Sequence, residues 1–219
     1  EQGVLGYSYV CEGCKQSIVS WFETRHKWII DSSTILFHHG VIPIIATVIE
    51  TFTKPGDQVG MMTPIYPPFF NLPTNQKRQI TQVTLYEEDG KYTIDYEMLE
   101  QTFKDGVKLF ILCNPHNPGG IVWTKDDLQR IVDLAIQYNV LILSDEIHAD
   151  ILMKGHAYTP LLTLPNASKA KIITAIAPTK TFNLARIQAA MMVVPNDDLR
   201  TTLEQNAMAH GHTELNVFA

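Results

Sequence analysis

The 219-residue chain reads as an α/β protein. Three observations predict this class. Segments patterned as helix and as strand alternate along the chain. Apolar runs such as residues 107–113 carry almost no polar side chain, as a strand covered on both faces requires. Three such runs also pass directly into polar turns, and open α/β sheets gather ligands beyond their strand ends.

The elements follow in order. A helix is expected over about residues 15–28, with Ile18, Val19, Phe22 and Trp28 among its apolar positions. Gly40 precedes the apolar stretch Val41–Phe52, which reads as a buried helix stopped by Lys54-Pro55-Gly56-Asp57. Gln58–Thr63 reads as a short strand ending at Pro64. Within residues 71–84 a helical turn is expected, then a strand around 79–85. Glu87-Glu88-Asp89-Gly90 makes a turn before an acidic helix near 95–103. Thr124 suits the N-cap of a helix over Lys125–Tyr138, with Asp126 and Asp127 at its positive end, and Asn139 closes it. Residues 140–144, 171–177 and 189–194 are further strands. No repeat, low-complexity tract or flexible linker interrupts this pattern.

Composition narrows the function classes. Hydrophobic residues make up 45% and charged residues 18%, a globular balance. The net charge is −6, from 17 Lys+Arg against 23 Asp+Glu, and no basic block stands out, which argues against nucleic acid as a partner. No apolar run approaches a membrane span, and Glu1-Gln2-Gly3-Val4 lacks the pattern of a signal peptide. Cys11, Cys14 and Cys113 are too few and odd in number for a disulfide framework and fit a reducing cytoplasm. Cys11-Glu12-Gly13-Cys14 is formally a CxxC, but no second ligand pair accompanies it, so it reads as two incidental thiols.

Three polar turns could carry chemistry. In Asn114-Pro115-His116-Asn117-Pro118-Gly119-Gly120, Asn117 can offer an amide donor, although the turn could equally be a rigid connection. In Ser144-Asp145-Glu146-Ile147-His148, an acid leaving a buried strand needs a cation or donors. Asp145 could hold a pyridinium proton or cap a helix, and His148 could be catalytic or a satisfied imidazole. In Ala177-Pro178-Thr179-Lys180-Thr181-Phe182-Asn183, a lysine in a small polar turn can serve as nucleophile and proton shuttle, or be a surface lysine.

Taken together, these words resemble the fold-type I enzymes dependent on pyridoxal 5′-phosphate (PLP), the aspartate aminotransferase superfamily. They are most similar to its MalY/PatB branch of cystathionine β-lyases and cysteine-sulfur lyases. The resemblance rests on Tyr66-Pro67-Pro68-Phe69, on Cys113 to Pro118, on Ser144 to Asp150, on Lys180-Thr181-Phe182-Asn183-Leu184-Ala185 and on the stretch from Trp21 to Trp28. It implies a three-layer α/β/α large domain, with a mostly parallel sheet and helices on both faces, over residues 1–219. It implies that Lys180 carries the cofactor on its amine, that Asp145 binds the pyridine nitrogen, and that Asn117 donates to the phenolic oxygen with His148 on the same side. Tyr66 would stack on the ring. The helix beginning at Val41 and Ile42 would hold the phosphate, with Thr179 adding a hydroxyl. Tyr7 would reach the phosphate site of a neighbouring subunit, which implies a homodimer acting on a small amino acid.

Two positions depart from the family pattern. Gly119 stands where a threonine is usual, and Arg186 stands where a glycine is frequent, either helping to neutralise a phosphate or crowding the turn. The resemblance also implies that an N-terminal arm and a C-terminal small domain, with the arginine that holds the substrate carboxylate, are missing from this chain. The leading expectation is a carbon–sulfur β-lyase releasing a thiol, pyruvate and ammonia. An aminotransferase shares the same cofactor residues, and a non-catalytic, partner-binding protein of this fold is a third expectation.

Overall fold

The computed structural model describes residues 10–211 and residue 215. Its elements run α1 (Glu12–His26), β1 (Ile35–His38), α2 (Val41–Phe52), β2 (Gln58–Thr63), α3 (Pro68–Asn75), β3 (Gln79–Thr84), β4 (Tyr86–Glu88), β5 (Lys91–Thr93), α4 (Tyr96–Lys104), β6 (Leu109–Cys113), α5 (Lys125–Tyr138), β7 (Leu141–Asp145), β8 (Lys171–Ile176), α6 (Pro178–Thr181), β9 (Ala190–Val193) and α7 (Asp197–His210). Seven strands form one sheet in the order β1-β9-β8-β7-β6-β2-β3. The block β8-β7-β6-β2-β3 is parallel throughout. β9 runs antiparallel to both of its neighbours, β8 and β1. No described helix is long and apolar enough to cross a membrane.

The two-residue period of the strands builds the layers. On one face, Phe110, Leu112, Ile142 and Ile172 pack with Leu99 and Phe103 of α4 and with Leu128, Ile131 and Val132 of α5. On the other, Leu109, Ile111, Leu143, Ile173 and Ala190 pack with Ile44, Ile45, Val48 and Ile49 of α2 and with Leu199 and Leu203 of α7. The expected three-layer α/β/α arrangement is therefore present. A third cluster, Phe22, Trp28, Ile30, Ile35, Ile176 and Met191, docks α1 at the β1 edge.

Local chemistry explains most boundaries. Thr124 and Asp127 close a reciprocal capping box at the start of α5, and Asn139 ends it in a left-handed conformation. α1 begins and ends earlier than expected. Lys27 adopts a left-handed conformation, and the Trp28 N–H returns to the Phe22 carbonyl, which puts Trp28 outside the helix and beneath it. The turn at Asp89-Gly90 closes a short hairpin, β4 to β5. β1, β4, β5, α6 and α7 are additions to the expected elements. Topology also fixes where α2 starts. β1 runs in the direction of β7 and β8, so the helix that follows it begins at the end of the sheet where those strands finish.

Candidate active site

β6, β7 and β8 are neighbours, and their register pairs Cys113 with Asp145 and Asp145 with Ala175. The three polar turns therefore leave the same edge of the sheet side by side, with the Asp145 turn in the middle. They lie beyond the ends of parallel strands, where such a sheet gathers ligands.

Asp145 is the last residue of β7 and is buried, with 5% of its surface exposed. Its Oδ1 accepts from the Ile147 N–H at 3.2 Å. Burial pushes the carboxyl up to about 7, against the pull of that N–H and of the Lys180 ammonium. The bond to Ile147 closes a tight turn, with no helix following. Lys180 lies in α6, at the end of β8, with its side chain exposed. Its charge also reaches His148, whose imidazole is held below its ordinary value by burial first and by Lys180 second. The Nδ1 of His148 is buried without a hydrogen-bond partner among the described residues.

The Asn117 turn is held from beneath. The His116 Nε2 pairs with the Pro64 carbonyl at 2.7 Å, and its ring meets Trp123 edge-on at 5.5 Å. The Trp123 indole donates to the Cys113 carbonyl at 2.9 Å. The Asn117 carbonyl accepts the Tyr66 N–H at 3.1 Å, which joins these two expected residues directly. Asn117 and His148 line one cavity of about 280 Å³, bounded also by His116, Pro118, Ile151 and Met153. Tyr66 is 43% exposed and packs edge-on against Phe69. Val41 and Ile42 open the first turn of α2 at the same end of the sheet. Gly40 gives that helix no side-chain cap, which leaves its first N–H groups for a ligand. Thr179 sits within α6 beside Lys180, half-buried. Tyr7 lies outside the described residues.

The departures have a physical setting. Gly119 lies against its neighbours, since an added Cβ would stand 3.0 Å from the Ile121 Cδ1 and 3.1 Å from the His116 Cδ2. Arg186 is exposed in a single 3-10 turn, Ala185–Ile187, just beyond α6.

Two carboxylates with no expected role connect the turns. Glu146 is 1% exposed and accepts from the Ser144 hydroxyl at 2.7 Å, the Leu161 N–H at 3.1 Å and the Tyr158 hydroxyl. Burial pushes it up to about 7 despite these donors. Asp150 accepts from the Trp21 indole at 3.1 Å and from the Thr181 hydroxyl at 2.9 Å, and pairs with the His26 Nε2 at 2.8 Å. Both residues stand in the quoted words, but only their pattern beside Asp145 was readable. Their partners are distant in sequence.

The groups at this edge fit PLP. A buried carboxylate short of a cation suits the pyridine nitrogen, a half-buried carboxamide suits the phenolic oxygen, an exposed amine suits the aldehyde, and an uncapped helix start suits the phosphate.

Comparisons with known proteins place the chain in a family. A family model described as aminotransferase class I and II matches residues 6–210. The chain is 37% identical over 220 residues to cystathionine beta-lyase PatB of Bacillus subtilis, spanning 100% of this chain and 57% of that protein. It is 30% identical over 200 residues to protein MalY of Escherichia coli, spanning 90% and 50%. Cystalysin from Treponema denticola, a solved structure containing a pyridoxal 5′-phosphate cofactor, superposes with a TM-score of 0.95 at 37% identity, over 99% of this chain and 55% of that one. The chain thus spans about half the length of the relatives it matches.

Proposed function

The chain belongs to the aminotransferase class I and II family, and from that premise we propose that the whole protein is a PLP-dependent carbon–sulfur β-lyase. Its substrates are amino acids of the cystathionine or cysteine type, and its products are a thiol, pyruvate and ammonia. The observation that carries this reading is the buried Asp145 beside Lys180 on adjacent strand ends, in a chain matched along its length by a cystathionine β-lyase.

When bound, the cofactor supplies an electron sink for negative charge at the substrate Cα. The residues of this chain do the rest. Asp145, ionised against a cation, holds the proton on the ring nitrogen. The Lys180 amine would carry the cofactor and, once freed by the substrate amine, would take the Cα proton while the Cβ–S electron pair leaves with the thiolate. Asn117 donates to the phenolic oxygen, and His148 stands on the same side. Tyr66 presents an aromatic face to the ring. The first turn of α2, at Val41 and Ile42, takes the phosphate together with the Thr179 hydroxyl. By its resemblance to the family, Tyr7 would serve the phosphate site of a second subunit, which is the ground for proposing a homodimer. Residues 1–219 form its cofactor-binding large domain. Three free cysteines support a reducing, cytoplasmic setting.

The test is to supply full-length protein with PLP and cystathionine or cysteine and to assay pyruvate, with stoichiometric pyruvate as the expected result. A second reading, an aminotransferase, draws on the family model's own description. Amino-group exchange with a keto acid, without pyruvate release, would favour it. Borohydride reduction with PLP should add one cofactor mass, mapped to Lys180.

A further inference from the structure

Lys180 sits on an element that cannot hold itself. α6 spans four residues, Pro178–Thr181, too few for a self-supporting helix, and Ala177 provides no side-chain cap. The next residues fold back only on their own turn, through Phe182 N–H to Pro178 O, Asn183 N–H to Lys180 O and Leu184 N–H to Thr179 O. Phe182 and Leu184 are 49% and 39% exposed. Among the described residues an apolar cavity of about 300 Å³, lined by Ile18, Trp21, Phe37, Pro178, Phe182 and Met191, borders this segment.

One side-chain hydrogen bond leaves residues 178–184 among the described residues, from the Thr181 hydroxyl to the Asp150 Oδ2 at 2.9 Å. Asp150 is anchored in turn by α1. The Trp21 indole donates to the same Oδ2, and the His26 Nε2 meets Oδ1. Arg25, half-exposed, stands at 3.6 Å from Oδ1. Trp21 also meets the Phe182 ring edge-on at 5.0 Å. Burial alone would raise the Asp150 carboxyl, but the bonds from His26, Thr181 and Trp21 outweigh it and hold it below the usual range. A charged acceptor makes the Thr181 bond stronger than a neutral pair.

We propose that Asp150 is a positioning residue for Lys180, fixing the lysine turn to α1 through Thr181 so that the amine is presented to the crevice in one place. The inference rests on the reading of Lys180 as the cofactor-bearing lysine. It extends that reading to residues that touch neither cofactor nor substrate. It also joins the two halves of the site. The His26 ring meets Tyr158 edge-on at 5.0 Å, and Tyr158 donates to Glu146 beside Asp145.

The test uses full-length protein with Thr181→Val, Thr181→Ser and Asp150→Asn. In cofactor-free protein, amide hydrogen exchange of residues 181–184 should accelerate about tenfold in T181V and D150N, the loss of one charge-assisted bond, and stay near wild type in T181S. Exchange in α5 should not change. The dissociation constant for PLP should rise by a similar factor, about tenfold, in T181V and D150N and recover in T181S. Wild-type exchange in T181V would overturn the proposal. So would acceleration of α5 in step with residues 181–184, because that marks a merely structural role. If wild-type protein takes up no PLP, the functional reading fails, and the exchange measurement alone then decides the positioning role.

Discussion

Asp145 ends β7 and Lys180 stands in the short helix that follows the neighbouring β8, yet their surroundings differ. On the acid side, Asn114, Ser144, Asp145 and Glu146 are all buried, and Glu146 gathers donors from Ser144 of β7 and from Tyr158 and Leu161. On the lysine side, Lys180, Phe182, Asn183, Leu184 and Arg186 are exposed, and among the described residues one side-chain hydrogen bond, to Asp150, ties the turn to the rest of the fold. The core of this domain thus builds the acid side as part of its own stability. The lysine side is placed by a few polar contacts and carries little of the fold. Substitutions on the two sides should separate activity from stability, and that separation is what the following experiments probe.

Lys180→Ala should have the largest functional effect and the smallest structural one. Removing the group that carries the cofactor and moves the Cα proton should lower turnover of the full-length protein by about 10³-fold or more. Because the side chain is exposed, the unfolding free energy should stay within about 0.5 kcal/mol of wild type. A large loss of stability in this variant would break the comparison. Glu146→Ala is the mirror case. It strands the Ser144 and Tyr158 hydroxyls and the Leu161 N–H in a buried site, so urea denaturation should report a loss of about 3 kcal/mol. An E146A protein as stable as wild type would show that water or a rearranged loop satisfies those donors.

A pH series sharpens the acid side further. The Asp145 and Glu146 carboxyls titrate near 7 when folded, against ordinary values of 3.8 and 4.5. Between those limits the folded, cofactor-free protein holds more protons than the unfolded chain, so their contribution to stability falls as pH rises from about 4 to about 7. His116 and His148, held below their ordinary value chiefly by burial, act in the opposite direction. Comparison with Asp145→Asn isolates the carboxyl, and unfolding midpoints of the variant should fall less over that window. A variant profile parallel to that of wild type would mean that Asp145 ionises freely in the folded state.

The acid side was also the more legible in sequence. Elements bounded by local signals were readable to the residue. α2 starts after Gly40, and α5 runs from the Thr124 cap to Asn139. The strands that end in Cys113 and Asp145 were visible as unbroken apolar runs because both faces are covered. β1 escaped notice because it has four residues and owes its existence to antiparallel pairing with β9. α7 buries only Leu199 and Leu203, too few to mark a face. At the site, Asn117, Asp145, His148 and Lys180 were readable as candidates because each closely follows its strand. The Asp150 junction was not, because Trp21 and His26 lie 129 and 124 positions away. Neither separation leaves a periodic trace, since a hydrogen bond between distant segments needs only one residue at each end.

The smallest expected effect lies at Gly119, and it tests how tightly the acid side is packed. An alanine Cβ there would meet the Ile121 Cδ1 at 3.0 Å and the His116 Cδ2 at 3.1 Å. The two neighbours differ in freedom. The His116 ring is held by the Pro64 carbonyl and by Trp123, whereas the Ile121 methyl ends a flexible, half-buried side chain. Overpacking should cost about 1 kcal/mol at this site. Restricting the unfolded chain returns about 0.5 kcal/mol. Gly119→Ala should therefore destabilise by only about 0.5 kcal/mol in net terms. Shortening the neighbour with Ile121→Val should remove the clash and leave the entropic gain, so alanine at 119 becomes neutral or stabilising in that background. A coupling of about 0.5 kcal/mol or more between the two positions is expected from a thermal-unfolding double-mutant cycle. Additive changes would instead assign the conflict to His116, and the rigid neighbour of the Asn117 turn would then be what keeps a side chain out of position 119.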